Sequence, residues 1–205
     1  MKLRGFSRFA FGSIIVYEKM FVFETLPHET PGLKIVDKAK VDVKLLQAKS
    51  VSESKKLERA GFRREEAEKR FKAGHLCFVA EKNGDIVNYV WVSFDATFVD
   101  EVGRKIRVGP QSAYRYDGYT VPEYRGLGIL PVMLTRVADY LFQNRIEEIY
   151  DVVVSNNLPS LRAHEKVGSR KMGEITLIKL LRSSRYSCKG STPDDCFRLK
   201  KMFSI

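Results

Sequence analysis

The sequence predicts a mixed α/β fold of the α+β kind, with a mostly antiparallel central sheet and helices on both faces. Two apolar runs, Leu76 to Glu81 and Ile86 to Phe94, flank Lys82-Asn83-Gly84-Asp85, and Asn-Gly between such runs is a tight hairpin signal. Further on, Leu130, Met133, Leu134, Val137 and Leu141 fall at i, i+3, i+4, i+7 and i+11, one stripe of an amphipathic helix. That helix lies between two strand-like segments, so at least one pair is parallel with a right-handed crossover, whereas the hairpin is antiparallel.

The elements follow in order. Lys34 to Leu46 alternates charged and apolar residues, which suits a strand with one wet face. Ser52 to Lys72 is dense in Lys, Arg and Glu, with Leu57, Phe62, Ala67 and Phe71 as apolar points, and reads as two short helices broken at Gly61. The hairpin comes next. Residues 95–111 give no clear element, and Ser112 to Thr120 reads as a strand that feeds the turn before the long helix. Ile149 to Val154 is a strand, Asn157 opens a short helix as its N-cap, and Lys171 to Leu181 is the final strand. No internal repeat or low-complexity tract is present.

Composition narrows the classes. A chain of 205 residues with 44% apolar content suits one domain with a sizeable core. Three cysteines, Cys77, Cys188 and Cys196, show neither an even set nor a Cys-x-x-Cys spacing, which argues against a disulfide framework or a zinc site and points to a reducing cytoplasm. The apolar stretch from Phe9 to Phe23 is broken by Glu18 and Lys19 and lacks a cleavage site, so it is expected to lie against the domain and neither to direct export nor to span a bilayer. The net charge of +11 attracts polyanions, among them nucleic acid, anionic membranes and phosphorylated small molecules. Part of it sits near the C-terminus, where aromatics are not interleaved with the basic residues, so a solvated extension is expected there before a nucleic-acid arm.

The most informative stretch is Thr120-Val121-Pro122-Glu123-Tyr124-Arg125-Gly126-Leu127-Gly128-Ile129-Leu130. It reads as a strand end, a turn with two close glycines and a helix start. The first N–H groups of a helix lack intrahelical partners and carry the positive end of the macrodipole, so glycines there let a pyrophosphate approach the main chain. The spacing of a nucleotide-triphosphate loop is missing, and Ile129-Leu130-Pro131 replaces the third glycine of a dinucleotide fingerprint, which disfavours ATP and NAD.

A second segment, Asn157-Leu158-Pro159-Ser160-Leu161-Arg162-Ala163-His164-Glu165-Lys166-Val167-Gly168, follows the run Ile149 to Val154. Together the two segments resemble the acyl-CoA-dependent N-acyltransferase superfamily usually called GNAT, over roughly Leu76 to Leu181. The family's first segment is Arg/Gln-x-x-Gly-x-Gly/Ala, matched here by Arg125 and Gly128, with Leu130 where a small residue is expected. Its second is an Asn, then a Tyr seven residues on, then Gly and usually Phe. Here those places hold Asn157, His164, Gly168 and Ser169.

The resemblance implies a GNAT-like domain over 51–182, an N-terminal appendage packed on it over 1–50, and a basic tail over 183–205. It also implies a coenzyme A thioester, most readily acetyl-CoA, as co-substrate and an amine as acceptor; composition and spacing add the expectation of no metal and no transmembrane segment, and disfavour nucleic acid as a partner. Monomer and homodimer both stay open. Gly126, Leu127, Gly128, Ile129 and Leu130 would cradle the diphosphate through their main chain, and Arg125 would add a cation. The edge at Gly118, Tyr119 and Thr120 would pair with the pantetheine amides, in a sheet that the family opens at that place. Asn157 caps its helix, and His164, almost two turns on, projects on nearly the same side. It occupies the place of the family's general-acid tyrosine and could donate a proton to the leaving thiolate or help position the sulfur.

No base can be assigned. The family's strand glutamate corresponds to Tyr114, and the nearest carboxylates, Asp117 and Glu81, suit surface charges. A CoA-binding module without transfer and a polyanion-binding protein remain the alternatives to the enzyme.

Overall fold

The described part of the first fifty residues contains β1 (Ile15–Thr25) and β2 (Asp42–Leu46). In this computed structural model the residues described are 15–27, 41–46, 55, 57–100, 102–180 and 183–204. Positions 34–40 of the anticipated Lys34 to Leu46 strand lie outside them. A helical turn at residues 57–59 ends at Gly61, and α1 (Arg64–Lys72) follows, as the apolar spacing requires. Glu65 and Glu66 in its first turn and Lys69, Arg70 and Lys72 in its last complement the helix dipole.

The hairpin is β3 (Leu76–Lys82) and β4 (Asp85–Ser93), and its two turn residues, Asn83 and Gly84, both have positive φ, as a primed turn demands. The stretch 95–111 folds into a small antiparallel ribbon, β5 (Thr97–Val99) and β6 (Arg104–Ile106). Then come β7 (Ser112–Thr120), a 3-10 turn (Pro122–Tyr124), α2 (Ile129–Gln143), β8 (Glu148–Val154), α3 (Leu158–Lys166) and β9 (Arg170–Leu180). The described chain closes with β10 (Ser183–Gly190) and α4 (Pro193–Phe203).

Among the described residues eight strands form one sheet in the order β10-β9-β1-β8-β7-β4-β3-β2, in which only β7 and β8 run parallel. The mixed, mostly antiparallel sheet is thus the anticipated one, with helices on both faces. Alternation along the strands separates two sides. Met133, Val137 and Leu141 of α2 bury against Val90, Val92 and Ala113 on one. Leu57 and Ala67 cover Trp91 near one end of the other, and Leu199 and Phe203 of α4 cover Tyr114 and Met172 near its opposite end. α3 rests on α2 through Ala163 and Val167 against Leu134. Each large apolar side chain so buried contributes about 1.5–3 kcal/mol.

Both flanking segments depart from expectation. β1 is no add-on: it sits between β8 and β9, paired antiparallel with each. Its run Met20-Phe21-Val22-Phe23 is covered on both faces in part, so it lacks the period-two alternation that announces a strand. Residues 183–204, anticipated as a solvated extension, form a strand on β9 and a docked helix. Thr192 caps that helix by accepting from the Asp195 N–H, and Leu199, Met202 and Phe203 bury together with Asp195, while Phe197, Lys200 and Lys201 face out. Arg170 and Arg198 fix it further by donating to the buried carboxylate of Glu24, and Arg170 also to Asp195.

The parallel ladder between β7 and β8 runs from Ser112–Glu148 to Arg115–Asp151 and stops there. Beyond it the strands continue, β7 paired with β4 and β8 with β1, so the sheet parts. At the fork Arg115 donates to both carboxylate oxygens of Asp151, from Nε at 2.8 Å and Nη2 at 2.9 Å, and from Nη1 to the carbonyl of Leu134 in α2 at 2.8 Å. Arg115 is 1% exposed and Asp151 5%. Burial alone would raise the Asp151 pKa, but the Arg115 charge and His164 more than reverse this and hold it below the usual carboxylate range. Its contribution to stability is therefore present above the unfolded carboxylate pKa and is lost only as pH falls through the depressed folded value.

Asp151→Asn is expected to cost about 3–5 kcal/mol in urea unfolding, because it strands a buried guanidinium, whereas joint replacement of Arg115 and Asp151 by apolar residues of similar volume costs less.

Candidate active site

The turn between β7 and α2 is shaped by two left-handed residues. Gly126 and Gly128 both have φ of +78°, a conformation that L side chains rarely adopt, and Gly128 is the N-cap of α2. A Cβ built on either would meet no heavy atom within 4 Å. Among the described residues, nothing fills the space beside either glycine. Ile129 is buried in the core and pins the helix start, while Leu127 is exposed. Leu130 packs toward Leu134, Ala163 and Val167, so the bulk that replaces the family's small residue goes between two helices. Pro131 has no N–H to offer. The donors available to an anion at this helix start are therefore the main-chain N–H groups of Gly126 to Leu130, all ahead of the first intrahelical bond, Val132 N–H to Gly128 O.

Arg125 lies across this turn. Its Nε donates to the carbonyl of Thr120 at 3.1 Å and its guanidinium lies 5.6 Å from the Tyr119 ring, which ties the turn to the strand end and leaves the cation at the surface. Thr120 is steadied from below by the Asn88 side-chain amide, which donates to its hydroxyl at 2.8 Å.

Gly118, Tyr119 and Thr120 lie on the part of β7 above the fork, where its ladder with β8 has ended. The register against β4 slips between Tyr89–Tyr119 and Trp91–Tyr116, a bulge in β7 at residues 117 and 118. The left-handed residue in it is Asp117, with φ of 49°, and a Cβ on Gly118 would make only ordinary contact with Val90. It is therefore Asp117 that takes the left-handed conformation of the bulge, and the glycine beside it keeps an ordinary one. Asp117 accepts from Arg70 Nη1 at 2.7 Å. Arg70 is caged by Phe62, Trp91 and Tyr116, whose ring centroids lie 4.9, 5.1 and 4.9 Å from its guanidinium. The other anticipated surface carboxylate, Glu81, pairs with Lys44 at 2.6 Å.

Asn157 caps α3, its side-chain oxygen accepting from the Ser160 N–H at 3.3 Å. His164 points inward from the same helix. It is 3% exposed, its Nδ1 lies 2.8 Å from the Ser160 carbonyl, its ring stacks on Phe23 at 4.8 Å, and Nε2 lies 3.4 Å from Asp151 Oδ1. It is thus joined to the pair at the fork. Motif spacing could not reveal Arg115 or Asp151, because the fork joins strands whose contact is set by the fold. Arg70 was concealed in a run of charges whose helical spacing reads as solvated.

A parted parallel pair beside an open helix start defines a GNAT-type acyltransferase domain. The model of the acetyltransferase (GNAT) family matches residues 44–168, and the chain belongs to this family. Among solved structures, a putative GNAT acetyltransferase from Novosphingobium aromaticivorans shares the fold with a TM-score of 0.52 and 17% identity, over 88% of this chain and 69% of its own. A GNAT-family acetyltransferase from Colwellia psychrerythraea gives 0.51 and 10%, over 81% of this chain and 56% of its own. A functionally unknown conserved protein from Staphylococcus epidermidis gives 0.53 and 10%, over 78% and 60%. The chain spans under two thirds of the length of these last two. No curated protein matches the sequence.

Asp117→Gly relieves the left-handed strain but loses the Arg70 pair, and Asp117→Ala loses the pair while keeping the strain. Asp117→Ala is expected to be the less stable of the two by about 1 kcal/mol in thermal or urea unfolding.

Proposed function

We propose that the chain transfers an acetyl group from acetyl-CoA directly to a primary amine, in a reducing cytoplasm. One observation carries this: two left-handed glycines open the start of a core-anchored helix beside a strand that has parted from its parallel neighbour. The N–H groups of Gly126 to Leu130 would hold the diphosphate and Arg125 would add a cation at the surface. The edge from Gly118 to Thr120 would take the pantetheine arm as a neighbouring strand would, and Asn157 would shape the far side by capping α3. The thioester, when bound, supplies an activated acyl carbonyl. The chain's own part is to align an amine against it, a contribution that can reach several kcal/mol.

His164 takes the positioning role in this scheme. A ring tied to Ser160, Phe23 and Asp151 is better placed to set the spacing of α3 from β8 than to reach a thiolate. The free thiols Cys77, Cys188 and Cys196 suit a reducing compartment.

Calorimetric titration is expected to give saturable 1:1 binding of acetyl-CoA, tighter than that of long-chain acyl-CoAs, and mass analysis with an amine panel to give products heavier by one acetyl group. Gly128→Glu is expected to abolish that binding, while Gly84→Ala, similarly strained but remote, leaves it intact. Binding without turnover would mark a CoA-binding module. Loss of affinity with salt that ignores Gly128→Glu would mark a polyanion binder.

A further inference from the structure

On the face of the sheet that carries α1, one residue before the bulge in β7, Tyr116 projects beside the fork. Its hydroxyl lies 2.5 Å from Nδ1 of His75, which stands in the connection between α1 and β3, and the two rings meet edge to face at 5.8 Å. Tyr114 stacks on Tyr116 from the other side at 5.4 Å, and the Arg70 guanidinium covers its ring. Tyr116 packs against both cores of this face, so its position is fixed by apolar contact on two sides. His75 itself is half-buried.

Burial, more than the surrounding charges, favours the neutral form of this pair. Burial, then the Arg70 charge, lowers the His75 pKa from its ordinary value, against weaker opposing effects of Asp95 and Glu66. Burial raises that of Tyr116, with Asp117, Glu66 and Cys77 acting the same way and Arg70 opposing. A protonated phenol beside an unprotonated imidazole is one donor facing one acceptor.

We propose that Tyr116 and His75 form the proton relay that prepares the acceptor amine. This rests on the acyl-transfer function proposed above and supplies a base in place of Asp117 and Glu81, which are paired with Arg70 and Lys44. Tyr116 is the catalytic residue, touching the substrate; His75 acts through it. An incoming ammonium donates one proton to the Tyr116 oxygen as the Tyr116 proton moves to His75 Nδ1, and the imidazolium so formed releases a proton to solvent. The freed nitrogen lone pair attacks the thioester carbonyl carbon, the C–N bond forms, the C–S bond breaks, and a second proton from the nitrogen goes to the departing thiolate. The sum is ammonium plus thioester giving amide, thiol and one proton. The acceptor that suits this relay carries an ammonium group next to an apolar or aromatic portion, because Tyr114, Tyr116 and the partly buried Val152 and Val154 are packed on this face beside the fork.

The test uses the full chain with an amine found by the product screen. Tyr116→Phe and His75→Gln are each expected to lower kcat about 100-fold, the double variant no further. The acetyl-CoA dissociation constant should stay within about twofold, a ratio worth less than 0.5 kcal/mol. In the wild type kcat/KM should fall with acid through a pKa below 6.5, and that limb should vanish in His75→Gln. Imidazole added to His75→Gly should restore turnover. Nitrogen NMR of the wild type should find Nδ1 of His75 unprotonated at neutral pH; a proton on it overturns the relay. If the wild type acetylates amines while His75→Gln keeps its kcat and its acid limb, the relay is wrong and the transferase stands. If the wild type acetylates no amine, both fall together.

Discussion

The paired charges of Arg115 and Asp151 set the geometry on which the site depends. Two parallel strands that separate must give up a ladder of backbone bonds, and the place where they do so needs a rigid stop. A guanidinium forked onto a carboxylate, with a third bond to the Leu134 carbonyl, joins β7, β8 and α2 at that stop. Buried ion pairs add little net stability against apolar substitutes, but they are specific in geometry, and here that geometry fixes where the opening begins. His164 and Phe23 extend the joint to α3 and β1.

Everything above the stop is arranged around exposed main chain. β7 has parted from β8, and α2 begins with peptide groups that no carbonyl of the helix can reach. Such groups tolerate exposure only because water or a ligand serves them. The helix itself does not move to suit, because Ile129, Met133 and Val137 are locked in the core. The bulge at Asp117 re-aims the strand just where a reacting group would lie, and Arg70, held among three rings, fastens it from the opposite face.

Much of this was legible in the residues. The hairpin at Asn83-Gly84, the strand from Ser112 to Thr120, the stripe of α2 and the cap at Asn157 each rest on local chemistry, and local chemistry is what sequence spacing encodes. The turn at Gly126 and Gly128 was legible for the same reason. The interior position of β1 was not, since a strand covered on both faces carries no alternation, and its partners lie more than a hundred residues away. The helix that ends the described chain was obscured by its charge, although Leu199, Met202 and Phe203 have helical spacing. Tyr116 and His75 meet only because α1 folds back across the sheet, so no pattern in the chain brings them together.

The placement of β1 has a consequence for how the molecule is made. The strand β1 is synthesised more than a hundred residues before β8 and β9, and must wait for them before either of its edges is matched. A sheet assembled from such distant segments has high contact order and folds slowly, and until the chain returns, the run from Met20 to Phe23 is an unmatched apolar strand in danger of pairing with another copy. The half of the sheet from β2 to β4 is made of near neighbours and can form on its own schedule, so emergence from the ribosome divides one continuous sheet into an early half and a late one.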